Sequence, residues 1–252
     1  MTELVGIPFS PWSEKARWAL DVRRVPYRKV TYAPLLGEIA LRKRTGRWSG
    51  IVSVPVLFDD DGRAIPDSLA IAQWADTRGE GDSLFPADLL PEVLRFAELS
   101  EKALAAGRAL SLPRMLEDNE ALLEMVPKNL RKLPGSVAIA AFGVRRTLKK
   151  YRATTSGAGL TQCETDLTRA LDELRAAVKD RGTSDAPATV LARFTFADIA
   201  MTQVVAFVEP PPFGLRLGVA SRRSFTHPTL KERYADLIAW RDAVYERYRP
   251  RE

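Results

Sequence analysis

Residues 3–32 read ELVGIPFSPWSEKARWALDVRRVPYRKVTY, and the changes of period inside this stretch decide the fold. Glu3 to Ile7 is a short apolar run that stops at Pro8, as a buried strand does. Ser10-Pro11-Trp12-Ser13 then opens a segment in which Ala16, Ala19, Leu20 and Val22 suit one face of a helix. From Pro26 to Tyr32 β-branched and aromatic residues recur in alternation, which predicts a second strand.

Outward from this unit, Leu35 to Arg44 contains good helix formers such as Glu38, Ala40, Leu41 and Lys43. Val54-Pro55-Val56-Leu57-Phe58 and Arg63-Ala64-Ile65 flank Asp59-Asp60-Asp61-Gly62, a turn whose glycine tolerates positive φ, so the two segments should pair as a hairpin. Asp67-Ser68 starts a helix through Ile71 and Trp74. The order is β-α-β-α-β-β-α. After Thr77 the segment RGEGDSLFPADLLP carries Gly and Pro breakers and reads as a linker, giving an α/β domain over 1–79, a linker over 80–90 and a second domain over 91–252. In that second part Leu90, Val93, Leu94 and Ala97 recur at helical spacing, as do Leu167, Leu171, Leu174 and Val178, and later Leu230, Tyr234, Leu237, Trp240 and Val244. Thr195 to Asp198 has the pattern of a capping box, with Phe194 and Ile199 placed as its hydrophobic staple. The expected fold class is therefore α/β plus all-α.

With 252 residues, 46% hydrophobic and 28% charged, the chain is long and apolar enough to bury a core, which excludes global disorder. A single cysteine, Cys163, excludes an internal disulfide, and a single histidine, His227, excludes a multi-histidine metal centre, so no metal is expected. Glu3 stands where a secretory leader would carry positive charge, and no apolar run reaches the ~18 residues of a membrane span, so a cytoplasmic location is the default. The apolar run GSVAIAAFGV at 135–144 is too short to cross a bilayer. The net charge is +6, and Lys128, Arg131, Lys132, Arg145, Arg146, Lys149, Lys150 and Arg152 lie in one stretch that has no acid. That stretch reads either as a solvated helical face or as a contact for an anion, a membrane surface or an acidic protein. No nucleic-acid-binding motif is present.

The element order, SPWSEKARWAL after strand one, VSVPVLF, IPDSLAIAQW and, later, FTFADIA together resemble the cytosolic glutathione transferases over essentially the whole chain. The resemblance implies a thioredoxin-like amino-terminal domain that binds glutathione, an all-helical carboxy-terminal domain that shares an electrophile pocket with it, and a two-fold homodimer. In this light the chain is a Ser-type member. It departs from the family in the segment RTGRWSGIVSVP, which replaces the usual Asn-Pro-x-Gly loop.

Each motif has a plain reading beside the functional one. Ser10 before Pro11 is an ordinary helix start; the resemblance makes its hydroxyl the catalytic donor to a glutathione thiolate, in the positive field of the helix terminus. Ser13 is the competing hydroxyl and ranks lower. Pro55 inside an apolar strand implies an edge or a bulge; the resemblance implies a cis bond that presents the backbone of Val54 to the cysteinyl part of glutathione. Asp67-Ser68 is a cap pair; by resemblance it also binds the γ-glutamyl end, with N–H groups and the Ser68 hydroxyl on the carboxylate and Asp67 on the ammonium. Arg42, Lys43, Arg44 and Arg47 are the candidates for the glycine carboxylate. Phe9 and Trp12 are packing residues or walls of the electrophile pocket.

The leading expectation is an enzyme that adds the glutathione thiolate to a small hydrophobic electrophile. The alternatives are a non-catalytic adaptor of the same fold that holds an acidic partner through the basic stretch 128–152, and a glutathione-dependent isomerase or dehalogenase.

Overall fold

In the computed structural model, residues 1–33, 37–151, 159–179, 181 and 186–251 are described, so the predicted helix residue Leu35 and the basic residue Arg152 lie outside the described residues. β1 (Glu3–Gly6) leads into α1 (Pro11–Val22), and β2 (Arg28–Thr31) is followed by α2 (Glu38–Thr45). β3 (Val56–Phe58), β4 (Ala64–Pro66) and α3 (Ser68–Arg78) complete the amino-terminal part. The sheet order is β2-β1-β3-β4, with β1 parallel to β2 and antiparallel to β3. This is the thioredoxin-like arrangement that the resemblance implies.

The β3–β4 pair forms as expected. Asp59 accepts from the amides of Asp61 and Arg63, and Gly62 takes φ +80°. One expectation fails: Pro55 belongs to neither an edge strand nor a bulge. It stands just before β3, an interior strand, so it removes no donor from the ladder.

Among the described residues every strand lies before Ser68, and the elements after β4 are all helices. α4 (Leu90–Leu116) packs on α7 (Leu160–Val178) and α8 (Phe196–Val205), while α5 (Asn119–Met125) contacts α6 (Ser136–Lys150) and α9 (Val219–Phe225). The last periodic run is interrupted at Tyr234, between α10 (Pro228–Arg233) and α11 (Ala235–Tyr248); this fully buried residue donates its hydroxyl to Asp172 of α7. The capping box of α8 is present: Thr195 caps the helix and Asp198 accepts from the Thr195 amide at 2.8 Å. Asp198 also accepts from the amide of Val190, and its burial pushes its carboxyl up to about 7.

The helix α1 is buried on nearly all sides, which its hydrophobic pattern does not reveal. Ala16 and Leu20 face the sheet with Leu4, Leu57 and Ile71, while Trp18 and Ala19 enter the core of the helical part. Three of its four charged residues, Glu14, Lys15 and Arg17, are therefore buried too. Glu14 is paired with Arg17 and with Arg249 from the far end of the chain, both within 2.7 Å, and Arg249 also reaches Asp21. Arg249→Ala leaves two carboxylates short of a partner in a buried site, and we expect a loss of about 3 kcal/mol in denaturant unfolding, far more than from removal of an exposed ion pair.

Candidate functional site

Strand register assembles the site. Val5 pairs with Val56 and Val56 with Pro66, so the end of β1, the start of β3 and the end of β4 coincide at one end of the sheet. Ser10, Val54-Pro55 and Asp67-Ser68, three separate motifs along the chain, are each attached to that end. β2 runs parallel to β1 and delivers α2 to the same side.

Ser10 is half-buried in extended conformation at the N-cap of α1, and its hydroxyl makes no capping hydrogen bond. The loop before it is held from several directions. Arg17 donates to the carbonyls of Ile7 and Pro8, and the Arg216 amide also donates to Pro8. Ser13, by contrast, is buried, and its hydroxyl oxygen accepts from the Ile7 amide at 3.0 Å. Gly6 makes room for it, since a Cβ there would meet that oxygen at 2.9 Å. The two serines are thus assigned different work by geometry: one fastens the turn and the other is left at its mouth.

The Val54-Pro55 bond is cis. Asp67 has φ +54° and ψ 161°, a region that side chains other than glycine rarely enter at a cost of about 1–3 kcal/mol. It caps α3 by accepting from the Ala70 amide at 2.8 Å and is exposed, while Ser68 is buried at the first helical position. Phe9 and Trp12 are half-buried and pack against the helical core.

The four candidate cations separate. Arg42 is committed to Glu38 and to the carbonyls of Arg47 and Gly50. Arg44 stacks on Phe58 and pairs with Glu3, at the opposite end of the sheet from Ser10. Lys43 and Arg47 are exposed.

Sequence reasoning missed the contribution of α4 and α6. The Trp12 indole donates to Glu101 of α4 at 2.7 Å, and the same carboxylate pairs with the buried Lys15. Arg108, two turns further along α4, stacks on Tyr151 and Trp12, with its guanidinium carbon 3.9 and 4.8 Å from the ring centres. Tyr151 is hydrogen-bonded to Ser53, next to Val54, and burial pushes its phenol up. Lys150 donates to the Val52 carbonyl at 2.5 Å, and Arg146 pairs with Glu38. The basic stretch is thus more than a solvated face, because two of its members turn back onto the sheet domain. No local pattern marks Arg108 or Ser53; Tyr151 carried only the weak signal of an aromatic beside a basic run. Among the described residues no group of His, Cys, Asp and Glu could hold a metal ion, and no helix is long and apolar enough to cross a membrane.

Residues 9–78 match the family model of the glutathione S-transferase N-terminal domain. The match lies within the amino-terminal part of the chain, across Ser10, Val54-Pro55 and Asp67-Ser68. No curated protein sequence matches it. Among solved structures, a glutathione S-transferase of Methylobacterium radiotolerans in complex with glutathione sulfonate is similar at 19% identity and TM-score 0.61, over 98% of this chain and 91% of that one. A glutathione S-transferase of Ceriporiopsis subvermispora in complex with glutathione gives 17% and 0.61, over 100% and 98%. Glutaredoxin 2 of Salmonella typhimurium, also in complex with glutathione, gives 16% and 0.53, over 96% and 99%. At these identities the likeness is one of fold, and it spans both parts of the chain.

The serine pair supplies a direct test. Ser13→Ala strands a buried amide and should cost about 1–3 kcal/mol, whereas Ser10→Ala should change the unfolding midpoint little, because its hydroxyl caps nothing. Equal destabilisation by the two would show that Ser10 is also a structural hydroxyl.

Proposed function

We propose that the protein is a Ser-type glutathione transferase that adds the glutathione sulfur to a small electrophile. In this reading the peptide lies at the end of the sheet, with its cysteinyl part paired to the backbone of Val54 beside Pro55. Its γ-glutamyl carboxylate meets the start of α3 at Ser68, and its ammonium group meets Asp67. The sulfur rests beside Ser10, and the acceptor enters between Phe9, Trp12 and the helical part.

The observation that carries the reading is the convergence of these residues around a Ser10 hydroxyl that no protein group uses as a cap. Pro11 follows it, so the helix start already lacks one amide donor, and a hydroxyl proton is the natural partner for an anion there. Ser10 donates to the thiolate and lowers the thiol pKa; helix termini and donors shift such groups by ~1 unit or more. The thiol proton leaves to solvent. With an aryl halide, the sulfur forms a bond to the ring carbon, the carbon–halogen bond breaks, and halide departs. Positioning both reactants in one cleft supplies the remaining acceleration.

The turn of Lys150 onto the Val52 carbonyl and the pairing of the exposed Arg146 with Glu38 support this reading over the adaptor, since each commits a charge on which an acidic partner would dock. A two-fold homodimer, a cytoplasmic location and a role in detoxification belong to the same proposal.

Two measurements test it. The intact chain is expected to bind glutathione by calorimetry and to turn over 1-chloro-2,4-dinitrobenzene. In Ser10→Ala we expect binding to persist, kcat/KM to fall at least about tenfold, and the pKa of the bound thiol to rise by about 1 unit or more. Turnover and thiol pKa unchanged by the substitution would remove Ser10 from the chemistry.

A further inference from the structure

None of the candidate site residues lies on the outer face of α6, yet that face combines exposed apolar side chains with uncompensated positive charge. Ile139 and Phe142 are 62% and 59% exposed, and Leu133, just before the helix, is 55% exposed. Apolar side chains of this size gathered at a surface mark a contact with a protein or a membrane. Along α6 the exposed positions, among them Ile139, Phe142, Arg145 and Lys149, recur every three to four residues, while Ala141 and Val144 between them are buried. One side of the helix is therefore apolar in its first half and basic in its second.

The charge is not balanced by acids nearby. From Met125 to Cys163 the chain has no Asp or Glu. Acids on the neighbouring elements are engaged elsewhere: Glu124 accepts from the amides of Ala220 and Ser221, Asp118 and Glu120 pair with Arg223, and Glu38 is shared by Arg42 and Arg146. Arg131 turns inward onto the carbonyls of Glu124 and Val126, whereas Lys132, Arg145 and Lys149 stand exposed. Beyond the contact of Lys150 with the Val52 carbonyl, the loop after α2 adds an exposed tryptophan, Trp48, next to the exposed Arg47.

A second copy of the chain is a poor occupant of this face, since a two-fold contact would set the same cations against one another. The surface of an anionic bilayer answers both features. Apolar side chains enter the boundary between headgroups and acyl chains, which tryptophan also favours, and long basic side chains reach the lipid phosphates. We propose that this face docks the protein on membranes that contain anionic lipid, with Leu133, Ile139 and Phe142 in the headgroup layer and Lys132, Arg145 and Lys149 against the phosphates. The contact is peripheral, made by side chains of a helix that lies on the bilayer. It is independent of the conjugation reading above and stands or falls without it.

The test is cosedimentation of the full chain with vesicles of phosphatidylcholine alone and of phosphatidylcholine with about 30% phosphatidylserine. The mixed vesicles should bind at least about tenfold more tightly, and raising the salt from about 0.05 to about 0.5 M should weaken that binding at least about fivefold. Two paired variants separate charge from apolar contact: Arg145→Gln with Lys149→Gln, and Ile139→Ser with Phe142→Ser. Each pair should lower the affinity for mixed vesicles at least about fivefold while the unfolding midpoint stays close to that of the wild type, because all four side chains are exposed. No binding, or equal binding to the two kinds of vesicle, overturns the proposal. So does binding that survives either pair of substitutions. If the serine pair leaves binding intact and polyglutamate displaces the chain from the vesicles, the face is a site for an acidic protein and the membrane assignment is wrong.

Discussion

Glu14 is a carboxylate with no exposure to water, and the arrangement of the molecule depends on how that charge is accommodated. Its two oxygens are met by guanidinium groups from opposite ends of the chain, Arg17 on its own helix and Arg249 beyond the last helix. A buried charge that lost its partners would be costly, so the pairing requires the carboxy-terminal end to lie against α1. Trp18 adds a second tie by donating to the Tyr248 carbonyl at 3.1 Å. Arg17 then passes the constraint forward, because its remaining donors hold the Ile7 and Pro8 carbonyls that precede Ser10. The helix that presents the candidate hydroxyl is thus positioned by the helical part as much as by the sheet.

The sheet supplies the other half of the positioning. Antiparallel pairing of β3 with both β1 and β4 brings three segments to one end of the sheet, each with a different kind of polar group: a hydroxyl at Ser10, the backbone at Val54, a capped helix start at Asp67-Ser68. The strained backbone at Asp67 fits this account, since conformations of that kind persist where the surroundings enforce them and tend to mark places where a ligand is met. From the helical part, Arg108 stacks on Trp12 and Tyr151, and Lys150 donates to the Val52 carbonyl. Its α6 reaches back to the segment that precedes the cis proline. Lys150 on the Val52 carbonyl and Tyr151 on Ser53 hold that loop in place.

Much of this was legible in one dimension, because much of it is local. The β-α-β-α-β-β-α order, the hairpin at Asp59 to Gly62, the capping box at Thr195 and Asp198, and the positions of Ser10, Pro55 and Asp67-Ser68 are all set by neighbours within a few residues, through period, turn chemistry and capping. The cations show where such reasoning stops. Arg42, Lys43, Arg44 and Arg47 are equivalent as a run of basic residues, yet one is consumed by Glu38 and local carbonyls and another points to the far end of the sheet.

The linear order of residues was enough for the elements and the three local motifs, since hydrogen bonding within a turn or a helix cap is decided by adjacent side chains. Folding in three dimensions was needed to settle which serine fastens the turn, why a helix with four charged residues is nevertheless buried, and which guanidinium stacks on Trp12 and Tyr151. Those outcomes depend on partners that the fold brings together: Ser13 with Ile7 across Gly6, Glu14 with Arg249, and Arg108 with Trp12 and Tyr151. Charge and stacking act through distance in space, and no periodicity in the chain records which distant groups the folded core will bring within reach.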